Sequence, residues 1–145
     1  MEESIKIEEA IAKALKLETV DPRTYSPLVL AYIGDAVYEL LIRTKVINHG
    51  SMQVNKMHKK SASLVKAETQ ANIIKAIQDD LTEEELAVFR RGRNAQVHSI
   101  PSHASRAQYS TATALEALFG WLYLSGQRQR ASDLFETMME DEVCR

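Results

Sequence analysis

Residues 27–42, PLVLAYIGDAVYELLI, constrain the fold of this chain more than any other stretch. The run predicts one buried helix, in which Asp35 is flanked by apolar residues on both sides. A carboxylate in such surroundings is costly unless a cation, a hydrogen-bond network or a metal ion compensates its charge. Residues 109–124, YSTATALEALFGWLYL, predict a second helix of the same kind around Glu116. We therefore expect two central helices, each carrying one inward-facing acid.

The rest of the chain also predicts helices. Gly and Pro are scarce, with 5 and 3 residues, and no segment shows the alternation of a half-buried strand. Thr82 and Glu85 have the spacing of a capping box at the start of a helix. The expected fold is all-α, with helices at about residues 4–17, 27–46, 51–78, 82–93, 105–125 and 128–142 and an irregular stretch at 92–104. For the third of these helices, the alternative is a break near residues 66–68.

The length of 145 residues predicts a single domain spanning residues 1–145. The only cysteine is Cys144, which excludes an internal disulfide and a cysteine zinc site and makes the reducing cytoplasm the expected location. The N-terminal residues are acidic and amphipathic, unlike a signal peptide. No apolar run is long enough to cross a bilayer.

Charge is distributed unevenly along the chain, although the net charge is only -2. Residues 40–67 and 86–115 contain no Asp or Glu, while both stretches contain several Lys or Arg residues. Two acid-free basic zones predict a positive face that binds a polyanion such as nucleic acid. The alternative is chance clustering of cations on solvated helix faces.

The chemistry of Asp35 and Glu116 indicates a metal site if the two helices cross. Carboxylate oxygens without a cysteine partner favour magnesium or manganese over zinc. A magnesium site needs only one or two protein carboxylates when a phosphate completes the coordination shell, so attack on a phosphodiester is the predicted reaction. The alternative is that each acid forms a structural ion pair or cap.

Other candidate groups lie near these acids in the sequence. Glu39 follows Asp35 by four residues and is either a third metal ligand or, as we prefer, the ion-pair partner of Arg43. His98 and His103 lie in the irregular stretch and can bind a metal or transfer protons, but contact with phosphate or no role is the favoured interpretation.

The segment RRGRNA, residues 90–95, predicts a phosphate-binding element. Arg90, Arg91 and Arg93 surround one glycine and supply rigid bidentate donors, with Asn94 beside them. Their alternative role is to cap the C-terminus of a helix, where cations are favoured. A second group of cations in the other basic zone strengthens the phosphate interpretation: Lys56, Lys59 and Lys60.

Taken together, LAYIGDAVYELLI and ATALEALFGWLYL resemble the two conserved helices of the ribonuclease III catalytic domain. The short length and RRGRNA are most similar to its Mini-ribonuclease III branch, a catalytic domain without a double-stranded-RNA-binding domain. The resemblance extends from about Tyr25 to Leu124. It implies a ribonuclease III endonuclease-domain-like helical bundle that forms a homodimer, with the helix of Asp35 near the dimer interface.

The resemblance also implies an activity, namely magnesium-dependent hydrolysis of double-stranded RNA that leaves 5′-phosphate and 3′-hydroxyl ends, with manganese as a substitute ion. By motif match, Asp35 and Glu116 take the places of the catalytic, metal-binding carboxylates. The branch implies maturation of the 23S ribosomal RNA precursor in a bacterial cytoplasm. Without a second domain, the expected RNA clamp consists of the arginines and asparagine of residues 90–95 and the three lysines of residues 56–60.

Two positions depart from the wider ribonuclease III family, in which an acid precedes the signature Asp by four residues and another precedes the second-helix Glu by three. Here these positions are Ala31 and Thr113, so the site has fewer carboxylates, a pattern that is similar to that of the Mini-ribonuclease III branch. We expect one ion held by Asp35 and Glu116, with a second recruited by RNA phosphate. The alternatives are a catalytically weak or silent duplex-RNA-binding homodimer and a helical interaction domain with structural acids.

Overall fold

A computed structural model of the chain describes residues 7–48, 50, 53–65, 69–70, 74–95 and 105–140. Within these ranges the secondary structure is entirely helical, which confirms the predicted all-α fold. The α-helices are α1 (Ile7–Leu15), α2 (Pro27–Asn48), α3 (Val54–Val65), α4 (Glu83–Arg93), α5 (Arg106–Leu124) and α6 (Arg128–Met139). None of these helices is long and apolar enough to cross a membrane.

Helices α2 and α5 form the centre of the fold and pack against each other more extensively than any other pair. Two glycines permit this close approach. A Cβ atom on Gly34 of α2 would collide with the backbone carbonyl of Glu116, and one on Gly120 of α5 would collide with the carbonyl of Leu30. The backbones of the two helices are therefore in direct contact at the level of Asp35 and Glu116.

The hydrophobic core surrounds this helix pair. Tyr38 of α2 is fully buried, and its ring makes edge-to-face contacts with Phe119 of α5 and Phe135 of α6, with centroids 5.6 and 6.0 Å apart. The phenol hydroxyl of Tyr38 donates a hydrogen bond to the carbonyl oxygen of Leu64, 3.4 Å away, which ties α3 to the core. Burial of these large aromatic rings is a main source of stability for the bundle.

The helix starts follow the sequence signals. Ser26 Oγ accepts a hydrogen bond from the Val29 amide, and Thr82 with Glu85 forms the predicted capping box at the start of α4. At the end of α5, Gly126 has a φ of 72°, a conformation that favours glycine because it has no Cβ. These caps fix where α2 and α4 begin and where α5 ends.

Some predicted boundaries were wrong. Among the described residues of the helix predicted over 51–78, residues 54–65 and 69–70 are α-helical, whereas its C-terminal part forms 3₁₀ turns at Ile74–Ala76 and Gln78–Asp80. These turns bury Ile74 and Ile77 without a continuous helix. The irregular stretch beyond Ala95, with His98 and His103, lies outside the described residues.

The prediction that residues 27–42 form a buried helix is correct for one face of α2 only. Its residues Leu30, Ala31, Tyr38, Ile42 and Val46 face the core. Another face is apolar but exposed, and its most exposed large side chains are Tyr32 at 83%, Leu40 at 60% and Ile47 at 59%. An apolar sequence cannot distinguish a face that packs within the chain from one that remains open.

Candidate active site

A cleft of about 490 Å³ lies between α2 and α5 and contains both predicted acids. Asp35 and Glu39 line it from α2, and Thr113 and Glu116 line it from α5. The other lining residues are apolar or aromatic: Leu28, Ala31, Tyr32, Ile33, Ala36 and Tyr109. The structure therefore brings together the two carboxylates that lie 81 positions apart in the sequence, as predicted.

The two acids differ in their exposure. Asp35 is exposed, contrary to the prediction of a buried charge, while Glu116 is half-buried. Burial and then the negative charge of Asp35 raise the pKa of Glu116 to about 8. Partial burial, followed by the charge of Glu39, also raises the pKa of Asp35 above its ordinary value. Ionising both Asp35 and Glu116 is therefore costly, and no described residue supplies a cation to either of them.

Glu39 is held differently, because Arg43 of the same helix neutralises it. The Nε atom of Arg43 donates a hydrogen bond to Glu39 Oε1 over 3.0 Å. This confirms the preferred interpretation of Glu39 as an ion-pair partner. In contrast, neither Asp35 nor Glu116 has an ion-pair or hydrogen-bond partner for its side chain among the described residues.

The donor set fits a divalent cation of the hard type. In the described part of the chain no group of three or more metal-ligating side chains occurs, so the cleft offers the two unpaired carboxylates and no full protein cage. Magnesium commonly binds through one or two carboxylates and keeps several waters or takes substrate phosphates as its remaining ligands. A cation would also relieve the repulsion between Asp35 and Glu116.

The segment RRGRNA ends α4 and does not form a loop of its own. Arg90, Arg91 and Arg93 are exposed in the last turn, and Asn94 is the helix C-cap. The Arg93 guanidinium lies 5.9 Å from the centroid of the Phe89 ring, and Arg91 Nη2 donates to the Tyr25 carbonyl over 3.5 Å. These cations lie where they stabilise the C-terminus of α4, as the helix-capping alternative predicted.

Glycine at position 92 places this cationic turn directly against the helix that carries Glu116. A Cβ on Gly92 would lie 2.8 Å from Ala114 Cα and 3.1 Å from Ala117 Cβ, so a larger residue would push α4 away from α5. The arginines are thus anchored beside the segment of α5 that lines the cleft.

The lysine group lies on α3, which packs against α2. Lys56 and Lys59 are exposed and Lys60 is half-buried. The spacing of the three residues places them on one side of the helix. They therefore form a second cationic patch on a different helix from the arginines.

Sequence reasoning missed the packing role of Gly34 and Gly120. A signal for it was present, because isolated glycines inside strongly helical apolar segments usually have a packing or functional reason. It also missed the ion pair between Glu85 and Arg130, in which Glu85 Oε2 lies 2.8 Å from Arg130 Nε. Nothing in the local sequence pattern links these two residues.

Comparison with known proteins defines the class to which this fold and cleft belong. The ribonuclease III domain family matches residues 28–127, a range that includes α2, α5 and both acids of the cleft. The chain belongs to the ribonuclease III domain family and is an endoribonuclease.

Individual relatives narrow the class further. The chain is 42% identical over 120 residues to the Mini-ribonuclease 3 of Symbiobacterium thermophilum. The matched region covers 83% of this chain and 92% of that protein. It is 45% identical over 115 residues to the Mini-ribonuclease 3 of a Thermoanaerobacter species. That match covers 79% of this chain and 81% of the Thermoanaerobacter protein. The predicted resemblance to the Mini-ribonuclease III branch is confirmed.

A solved structure supports the same fold. The crystal structure of a protein from Fusobacterium nucleatum is similar to this chain with a TM-score of 0.77 and 32% sequence identity. The similarity covers 86% of this chain and 99% of that one. The helical bundle is therefore shared over nearly the full length of the Fusobacterium protein.

Proposed function

We propose that this chain is a magnesium-dependent endoribonuclease that cleaves double-stranded RNA in the cleft between α2 and α5, and that manganese can replace magnesium. The observation that carries the proposal is the pair of unpaired carboxylates, Asp35 and Glu116, which line one cleft. Burial and a neighbouring negative charge raise the pKa of each, from Glu39 for Asp35 and from Asp35 for Glu116. Two carboxylates match what magnesium takes from a protein when substrate phosphate completes its shell.

The roles of the side chains follow from their positions. Asp35, at the exposed side of the cleft, and Glu116, deeper in it, would hold the cation between them. When bound, magnesium supplies the Lewis acidity that polarises a phosphodiester and activates water. The close contact of α2 and α5 at Gly34 keeps the two carboxylates in fixed relation, which reduces the reorganisation needed during the reaction.

The substrate class is supported by the two cationic patches. Arg90, Arg91, Arg93 and Asn94 at the end of α4, and Lys56, Lys59 and Lys60 on α3, are the proposed contacts to the RNA backbone. Duplex RNA is recognised mainly through phosphates and 2′-hydroxyls, a form of recognition that suits exposed Arg and Lys with little base specificity. We expect the affinity for duplex RNA to fall steeply with salt.

The proposed assembly is a homodimer in which residues 1–145 of each protomer form a single catalytic domain. The exposed apolar face of α2 supports it, because Tyr32, Leu40 and Ile47 leave a large apolar surface open in the single chain. Several similar bacterial proteins are named Mini-ribonuclease 3, which supports an endoribonuclease of this branch. The cellular role that we propose for it is maturation of the 23S ribosomal RNA precursor in a bacterial cytoplasm.

Cleavage of a long RNA duplex, with magnesium and then with EDTA, tests the proposed reaction. We expect cleavage only with magnesium, and a loss of roughly a thousandfold in rate for Asp35→Asn and for Glu116→Gln, since each change removes a charge that holds the cation. Matched controls are Asp79→Asn and Glu84→Gln, which change exposed acids outside the cleft.

The outcomes of this assay separate three functions. Magnesium-dependent cleavage that both cleft variants abolish supports the enzyme. A salt-sensitive RNA complex without cleavage would identify a silent RNA-binding protein, and neither cleavage nor binding would leave an interaction domain. Unchanged cleavage by both cleft variants would remove Asp35 and Glu116 from the proposal.

The RNA-binding surface is tested by charge reversal. Arg91→Glu combined with Arg93→Glu should weaken duplex binding by about tenfold or more and reduce the slope of log affinity against log salt by about one for each lost phosphate contact. Lys75→Glu is the control, because Lys75 is exposed but belongs to neither patch. If the double variant binds with unchanged affinity and salt slope, the end of α4 does not contact RNA.

A further inference from the structure

Thr113 is the one buried hydroxyl residue among the described residues that line the acid cleft. Its side chain is 8% exposed and lies three residues before Glu116, on the same side of α5. The hydroxyl donates a hydrogen bond to the backbone carbonyl of Tyr109 over 3.0 Å. This bond uses the only proton of the hydroxyl and holds the side chain in one orientation.

The oxygen of this hydroxyl keeps its acceptor capacity. A hydroxyl oxygen has two lone pairs, and no described residue donates a hydrogen bond to Thr113 Oγ1. The oxygen is therefore an acceptor of fixed orientation on a residue that lines a cleft with two unpaired carboxylates. A neutral acceptor in this place adds no further negative charge to Asp35 and Glu116.

We infer that Thr113 is a positioning residue for the metal site: its hydroxyl oxygen accepts a hydrogen bond from a hydration water of the divalent cation held by Asp35 and Glu116. The inference rests on the proposed function. Magnesium gives up its waters reluctantly and keeps several of them when only two carboxylates are available. Each retained water needs an acceptor for its protons, and Thr113 supplies one from the same helix as Glu116.

Three substitutions isolate this role. Thr113→Val keeps the shape of the side chain and removes the hydroxyl, while Thr113→Ser keeps the hydroxyl and removes the buried methyl group. Thr111→Val is the matched control, because Thr111 makes the same hydrogen bond to the carbonyl four residues earlier, to Ala107 over 2.9 Å, but does not line the cleft.

Metal affinity provides a measurement that does not depend on cleavage. The midpoint of thermal unfolding is recorded against manganese chloride concentration, since a ligand of the native state raises that midpoint as its concentration exceeds the dissociation constant. We expect Thr113→Val to weaken manganese binding by about tenfold, as changes around metal ligands commonly do. Thr113→Ser and Thr111→Val should bind manganese within about twofold of the wild type.

A structural role for Thr113 predicts the opposite order. In that case Thr113→Ser, which loses a buried methyl group, would change the metal-free unfolding midpoint most, and all three variants would bind manganese like the wild type. That result would overturn the inference while leaving the proposed function intact. If the wild type itself neither binds manganese nor cleaves duplex RNA, the proposed function fails and the inference fails with it.

Discussion

Two acids in this chain, the buried Glu85 and the half-buried Glu116, lie in opposite electrostatic surroundings. Glu85 at the start of α4 is 2% exposed and accepts hydrogen bonds from the Arg130 guanidinium at 2.8 Å and from the Thr82 amide at 2.9 Å. Burial by itself would raise the pKa of Glu85, but these hydrogen bonds hold that pKa below its ordinary value. Glu116 has no such partner in the part of the chain that the structure describes, and burial together with Asp35 raises its pKa to about 8.

The contrast separates a structural acid from a functional one. The negative charge of Glu85 is compensated by Arg130 of the same chain. Arg130 also donates to the Asp80 carbonyl, which joins the start of α6 to the turn before α4. No cation or hydrogen-bond donor among the described residues pairs with the carboxyl group of Glu116. An uncompensated acid in a cleft is costly to the fold, and its retention is explained by a ligand that supplies the missing positive charge.

Neutralising the two acids should have opposite effects on the stability of the metal-free protein. Glu85→Gln should lower the free energy of unfolding by about 2 kcal/mol, less than for a fully buried pair because Arg130 remains partly exposed. Glu116→Gln should leave that free energy unchanged or raise it at neutral pH, since it removes a group that ionises more readily in the unfolded chain than in the fold. Urea unfolding in EDTA measures both, and a larger loss for Glu116→Gln would show that Glu116 has a structural partner.

The dependence of stability on pH should also differ between the two acids. The pKa of Glu116 is raised from 4.5 to about 8, so native protein binds an extra proton between these values and metal-free stability falls as pH rises through that window. The pKa of Glu85 is lowered, so its contribution is present above 4.5 and is lost as pH falls through the folded-state value.

Thermal unfolding in EDTA across this pH range tests the difference. Glu116→Gln should flatten the decline between pH 4.5 and 8, and Glu85→Gln should reduce the loss of stability at acid pH. An unchanged alkaline decline in Glu116→Gln would mean that another group causes it.

The smallest effect is expected at Glu39, which shares the cleft with Asp35 but is already paired with Arg43. Exposed pairs of this spacing contribute about 0.5 kcal/mol, so Glu39→Gln should lower the free energy of unfolding by no more than about that amount. It should change the rate of magnesium-dependent cleavage by no more than about twofold. A loss of cleavage comparable to that of Glu116→Gln would place Glu39 among the metal ligands.

The sequence predicted those parts of the molecule that local patterns determine. The apolar helices around Asp35 and Glu116, the capping box of Thr82 and the pairing of Glu39 with Arg43 all depend on residues close together in the chain. The meeting of the two acids was predicted from their similar surroundings and from the resemblance to a known family.

Features that depend on distant partners were not predictable in this way. The exposure of Asp35 and of one face of α2 depends on which side α5 occupies, and an apolar run of residues does not contain that information. The partnership of Glu85 with Arg130 joins α4 to α6 across 45 positions. The 3₁₀ turns over residues 74–80 replace a helix that local propensity alone favours.

The titration of Glu116 with and without magnesium tests most directly whether the unpaired carboxylates form a cation site. Carboxyl carbon NMR can follow Glu116 and Glu85 in the same sample, with Glu85 as the internal reference. We predict that Glu116 titrates near pH 8 in EDTA and that saturating magnesium moves its pKa well below that value, while Glu85 is unchanged. A pKa of Glu116 that is the same in EDTA and in magnesium would contradict the assignment of this cleft as the metal site.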